Sequence, residues 1–142
     1  MLEKKFIGTW KLIDWYLINS AGKKDYPFGQ HPKGYLIYLP TGFMSAHLMA
    51  ENRQPFADSS VFSATPEEAL AALKTYASYC GKYSIEKNYV KHHIELVLNP
   101  GWVGTTQVRE FEFQGDDRLV LRCKLEHDGE EKNAELFWQK QG

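Results

Sequence analysis

YVKHHIELVL (89–98), TTQVREFEFQ (105–114), RLVLRCKL (118–125) and KNAELFWQ (132–139) alternate apolar and polar side chains through four consecutive runs. Alternation with a period of two is the signature of strands with one covered face. Short turn signals separate the runs: Asn99 to Gly101, Gly115 to Asp117 and His127 to Gly129. Connections this short join antiparallel neighbours, so the second half of the chain reads as a meander.

The pattern extends towards the N-terminus. Residues 8–18, 35–39, 43–50 and 83–87 read as four further strands, with Pro40, Thr41 and Gly42 turning a hairpin. Pro66 to Cys80 is the one convincing helix. Thr65 and Glu68 have capping-box spacing, Pro66 suits the first helical position, and Gly81 reads as the stop. Leu70, Leu73, Ala77 and Cys80 recur at helical spacing, which predicts a face docked on the protein as a lid or plug. Eight antiparallel strands with one helix predict an all-β, up-and-down barrel, the architecture that leaves no open sheet edge.

Composition bounds the function. The 142 residues carry 43% hydrophobic and 14% aromatic side chains, with no repeat or linker, so residues 1–142 read as a single domain. Seventeen basic against eighteen acidic groups give a formal charge of −1, which offers nothing general to nucleic acid or to a membrane surface. No run reaches the length of a membrane span. Cys80 and Cys123 have neither metal-ligand nor disulfide-framework spacing, and no apolar leader opens the sequence. Two unpaired thiols and a cytoplasmic location are the expectation.

The residues also carry a resemblance. GTW (8–10) with Leu12, YP (26–27) with Gly29, Pro32 with GYLIY (34–38), TGFMSAHL (41–48), TPEE (65–68), Tyr79 with Gly81 and Tyr83, His92 and His93 with Glu95, and Trp102 with GTTQVR (104–109) together resemble the small bacterial and fungal lipocalin-like domain family of the calycin superfamily. The resemblance spans nearly the whole chain. It implies a calycin barrel and, for most members, no established activity.

Parity places side chains on the two faces of each strand. Val90, His92, Ile94, Leu96 and Leu98 are expected inside, with His93 outside. Phe111 and Phe113 carry Gln107 and Arg109 inward with them. Leu119, Leu121, Cys123 and Leu125 follow, then Ala134, Leu136 and Trp138. In the first hairpin Leu36, Tyr38, Met44, Ala46 and Leu48 are taken as inward. Trp10 and Leu12 point in from the first strand, followed by a bulge that lets Trp15 or Tyr16 change face.

One polar cluster emerges inside this apolar shell: His92, Gln107 and Arg109, joined by Tyr38 or Tyr83. Arg109 and His92 could hold a carboxylate or enolate oxygen while a tyrosine or His92 exchanges a proton. Equally, these groups could satisfy one another within a packed core. Trp102, between glycines 101 and 104, is either a gate or a plug, and Met44 and Phe111 complete the expected ligand-binding set. His92 and His93 face opposite ways and cannot chelate one ion, so no metal is expected. No phosphate loop, dinucleotide glycine pattern or nucleophile elbow is present, so no cofactor is expected either. The expected partner is a small hydrophobic or amphipathic ligand with an oxygenated or anionic group, and the protein is read as its carrier or sensor. The alternatives are a cofactor-free isomerase or cyclase and a filled barrel with a structural role. Phe137 and Val120, apolar and outward by parity, hint at a homodimer.

Overall fold

A computed structural model describes residues 2–142. The strands are β1 (Gly8–Ile18), β2 (Lys24–Asp25), β3 (Lys33–Tyr38), β4 (Phe43–Met49), β5 (Tyr76–Glu86), β6 (Tyr89–Val97), β7 (Thr106–Gln114), β8 (Arg118–His127) and β9 (Glu130–Gln141). Two helices, α1 (Leu2–Phe6) and α2 (Pro66–Lys74), flank them. Every pairing is antiparallel, and the order β1-β3-β4-β5-β6-β7-β8-β9 closes through β9 back onto β1. β2 adds only a two-residue ladder to the end of β1. The fold is therefore an eight-stranded, closed, up-and-down barrel with one short extra strand.

Closure rests on β1, the strand shared by both edges. It is eleven residues long and pairs with β3 through its first half and with β9 along its length. The register shifts between Leu12 and Asp14. Trp10 and Leu12 face inward before the shift, and Trp15 borders the cavity after it. The expected bulge is there, and it is Trp15 that gains the interior.

The largest departure from expectation lies between Tyr76 and Cys80. These residues are strand, because Phe43 to Met49 pair with Lys82 to Tyr76 in seven consecutive rungs. Leu73, Ala77 and Cys80 fall at helical spacing by coincidence. Tyr76 to Tyr83 also alternates, and its aromatic content suits a strand that must bridge β4 and β6. Tertiary pairing overrides the helical pattern. Gly81 consequently is no helix stop. It sits opposite the register shift between β5 and β6, where a Cβ would collide with the His93 carbonyl oxygen. Glycine there lets the bulged strand approach.

That shift also inverts β6 beyond Ile94. Cys80 pairs with Leu96 and Tyr79 with Val97, so Leu96 turns to solvent and Val97 takes its place at the cavity. The hairpin residues Leu36, Tyr38, Met44, Ala46 and Leu48 are all buried, as expected. Val120, in contrast, is covered by its own chain, and Phe137 packs against Tyr16 with ring centroids 5.8 Å apart. Val120 therefore adds nothing to an open apolar face, while Phe137 stays half-buried.

The short shaft of α2 starts at a formed capping box. The Thr65 hydroxyl accepts from the Glu68 amide, and the Glu68 carboxylate accepts from the Thr65 amide. Its expected docking face is nonetheless half-solvated, with Leu70 51% and Leu73 49% exposed. The helix lies over one end of the barrel without inserting between strands.

Candidate functional site

The two ends of the barrel differ. At the end where β1 begins, α1 folds across the opening and Phe6 fills it, with ring centroids 5.2 Å from Tyr38 and 4.9 Å from both Phe111 and Phe113. Trp10 donates its indole N–H to the Phe6 carbonyl at 2.8 Å and fixes α1 in place. This end is a solid aromatic floor. Sequence gave no sign of α1, since five residues are too few to show a periodicity.

Above the floor an interior cavity of about 490 Å³ opens towards Leu73, Leu98 and Trp102. Its volume falls within the roughly 300–1,000 Å³ of small-molecule sites. The barrel is not filled. Trp15, Leu36, Leu121, Leu136 and Trp138 make most of the wall apolar.

Of the expected ligand-binding residues, His92, Arg109 and Trp102 line this cavity. Tyr38 stands one layer behind His92. Met44 and Phe111 belong to the core beneath, and Tyr83 stacks edge-on to Tyr38 with its hydroxyl donating to the Leu39 carbonyl at 3.0 Å. Gln107 pairs with His92 across the sheet but spends its amide on the Thr105 hydroxyl, 3.0 Å away. These five are structural neighbours of the cavity, not part of its wall.

Tyr79 is the residue that sequence reasoning missed. The helical reading of Tyr76 to Cys80 hid it, although its parity with Gly81 and Tyr83 would have placed it inside. Its hydroxyl meets His92 Nδ1 at 2.8 Å, while Tyr38 meets Nε2 of the same ring at 2.7 Å. Its ring also lies beside Trp102, with centroids 6.1 Å apart.

The electrostatics follow from burial. His92 is 1% exposed with no carboxylate beside it, and desolvation, reinforced by the charge of Arg109, pushes its pKa down to about 3. It is a neutral imidazole. Burial raises the phenol of Tyr38, and it raises that of Tyr79 against the opposing pull of Arg109. Both tyrosines hold their protons.

Arg109 is the exception to this self-contained network. Among the described residues no carboxylate lies within ion-pair distance of its guanidinium, which donates at 3.3 Å to the Val108 carbonyl. It lies close enough to Tyr79 to favour the ionised phenol, although no hydrogen bond of ordinary geometry joins the two. The barrel's other inward cation, Lys132, is held at 2.7 Å by Asp25. Two further donors, the buried indole N–H groups of Trp15 and Trp138, have no protein acceptor.

No group of three or more His, Cys, Asp or Glu side chains among the described residues could hold a metal ion. Cys80 and Cys123 are free thiols on opposite faces of the wall, Cys123 bordering the cavity.

A closed up-and-down barrel with an apolar interior cavity and a polar spot in its wall defines the calycin class of small barrels. The match is specific at the level of family: residues 7–141 fit the lipocalin-like domain, and the chain belongs to that family. Among characterised proteins it is similar to the 4'-hydroxy-3'-methoxypropiophenone carrier protein ppsC of Aspergillus oryzae, at 28% identity over 109 residues covering 68% of this chain and 96% of that one. Among solved structures it is similar to a redesigned β-barrel (10% identity, 99% and 95% coverage, TM-score 0.49). It is also similar to an uncharacterized protein from Bacteroides eggerthii (13% identity, 96% and 99% coverage, TM-score 0.49).

Proposed function

We propose that this protein is a carrier for a small, largely apolar molecule, bound inside the barrel with an oxygen-bearing group against Arg109. The observation that carries this reading is the guanidinium of Arg109, which borders an apolar cavity with no carboxylate partner among the described residues. An inward charge left without an opposing charge is costly, and a ligand oxygen relieves that cost. The similarity to a carrier of a phenolic ketone supports the same reading.

The alternative, a cofactor-free isomerase or cyclase, needs a base in the wall. His92 has both ring nitrogens engaged by tyrosines and is held neutral, which suits it to a structural relay better than to proton abstraction. Binding is therefore favoured over turnover.

The test is a titration with 1-anilinonaphthalene-8-sulfonate, an apolar dye with one anionic group, on the native protein and on Arg109→Met. Methionine keeps most of the volume and removes the charge. Dye affinity should fall at least tenfold, given ~1.5–3 kcal/mol for a hydrogen bond to a charged group. The unfolding midpoint should hold or rise, since removing a half-buried charge that has no carboxylate partner also removes its desolvation cost. Unchanged affinity with a large loss of stability would defeat the reading.

A further inference from the structure

Tyr38, His92 and Tyr79 form a chain that has a direction. Tyr38 is fully buried, and His92 Nε2 is the hydrogen-bond partner of its hydroxyl. A buried hydroxyl that cannot place its proton loses the hydrogen bond it had in water with nothing in return. Tyr38 avoids that cost only by donating to Nε2. The neutral imidazole has a single N–H, which must then sit on Nδ1 and be donated to the Tyr79 oxygen. The Tyr79 proton is thereby left uncommitted, on a residue that borders the cavity. Running the chain the other way would strand the Tyr38 proton against the aromatic floor.

Beside Tyr79 stands Arg109, which can only donate. The uncommitted capacity of these two residues is of one kind: donors, one of them a full positive charge.

We propose that the cavity takes its ligand as an oxyanion, a carboxylate or a phenolate, held between the Arg109 guanidinium and the Tyr79 hydroxyl proton. Tyr38 and His92 are the positioning residues that decide where that proton goes. The inference rests on the carrier reading of the same cavity and sharpens it to one charge state. A neutral phenol or acid held at this spot has a proton of its own to place, and neither the Arg109 guanidinium nor the Tyr79 proton offers it an acceptor. Ionising the ligand removes that conflict and pairs Arg109.

Naphthalene probes of similar bulk test this through quenching of cavity tryptophan fluorescence: 2-naphthoate as the anion, 2-acetylnaphthalene as a neutral acceptor and 2-ethylnaphthalene as the apolar control. Naphthoate should bind most tightly. Tyr79→Phe should weaken naphthoate by roughly tenfold or more, from the loss of one hydrogen bond to a charged group. Ethylnaphthalene should be unaffected, since the ring remains. Tyr38→Phe, which touches no probe, should reproduce part of that selective loss; a merely structural role would weaken both probes alike. A nitrophenol followed across its own ionisation separates the two sources of oxyanion. Tightening in step with ionisation admits phenolates, a flat profile beside tight naphthoate binding confines the class to carboxylates, and tighter binding of the neutral phenol overturns the proposal. Equal loss of naphthoate and ethylnaphthalene in Tyr79→Phe overturns it too. If ethylnaphthalene and naphthoate both fail to bind the native protein, it is the carrier reading that falls.

Discussion

The floor and the mouth of this barrel are built from similar residues in opposite ways. At the floor, Phe6, Tyr38, Phe111 and Phe113 pack edge to face, and α1 is pinned by Trp10. At the mouth, Leu73, Leu98 and Trp102 are equally apolar yet remain partly exposed, and α2 leans on the rim with no buried residue of its own. Apolar composition alone does not make a core. Opposed faces do, and the mouth has no opposing face until something enters it. Stability should therefore concentrate at the floor and ligand exchange at the mouth.

The sharpest way to break that contrast is Phe6→Ala. Phe6 is fully buried and touches three aromatic rings, so its removal leaves a void that the barrel cannot collapse around. Losses of about 3–5 kcal/mol are usual for such truncations. Denaturant melts should show a lower midpoint with an unchanged slope. An unshifted midpoint would mean that α1 does not hold the floor.

Acid gives a second, smaller perturbation, centred between floor and mouth. The folded-state pKa of His92 lies near 3, below the ordinary value of 6.5, so its contribution to stability is present above pH 6.5 and lost as pH falls towards 3. Between those values the unfolded chain binds a proton that the folded chain refuses. Two pH units below 6.5 the loss from this residue alone is on the order of 3 kcal/mol. Glu112 and Glu135, held below the usual carboxylate range largely by their bonds to neighbouring side chains, add their own acid sensitivity. The diagnostic is therefore the difference between native protein and His92→Gln, whose melts should fall less steeply over that window. Parallel curves would show that His92 titrates freely and is no buried relay.

These effects fall on residues of unequal legibility. Arg109 and His92 were readable because each shares a strand face with residues that must be inside, Phe111 and Phe113 for one, Val90 and Ile94 for the other. Parity is a local property, and it survives as long as the strand runs straight. It failed beyond Ile94, where the bulge opposite Gly81 hands the interior from Leu96 to Val97. Tyr79 was lost because five residues of strand also fit a helical spacing, and only the seven rungs with β4 decide between them. Neither the depth of the cavity nor the division of labour between Tyr38, which supports, and Tyr79, which borders the space, has any trace in sequence. Both depend on where β3, β5 and β6 stop relative to one another around the barrel.

The smallest expected effect lies at the mouth, and it completes the contrast. Leu73 is the α2 side chain that reaches the cavity among the described residues, but about half of its surface already meets solvent. Replacing it with serine removes little burial, so the cost in stability should stay near 1 kcal/mol or below, well under that of Phe6→Ala. Its position predicts a different consequence. A rim side chain that flanks the opening slows escape more than it strengthens the bound state, and changes of this kind appear mainly in the dissociation rate. Stopped-flow displacement of 1-anilinonaphthalene-8-sulfonate should therefore be faster in Leu73→Ser by a few-fold, with an unfolding midpoint almost unmoved. A large drop in the midpoint would show that α2 is packed as firmly as the floor, and an unchanged rate would show that the ligand leaves the barrel by another route.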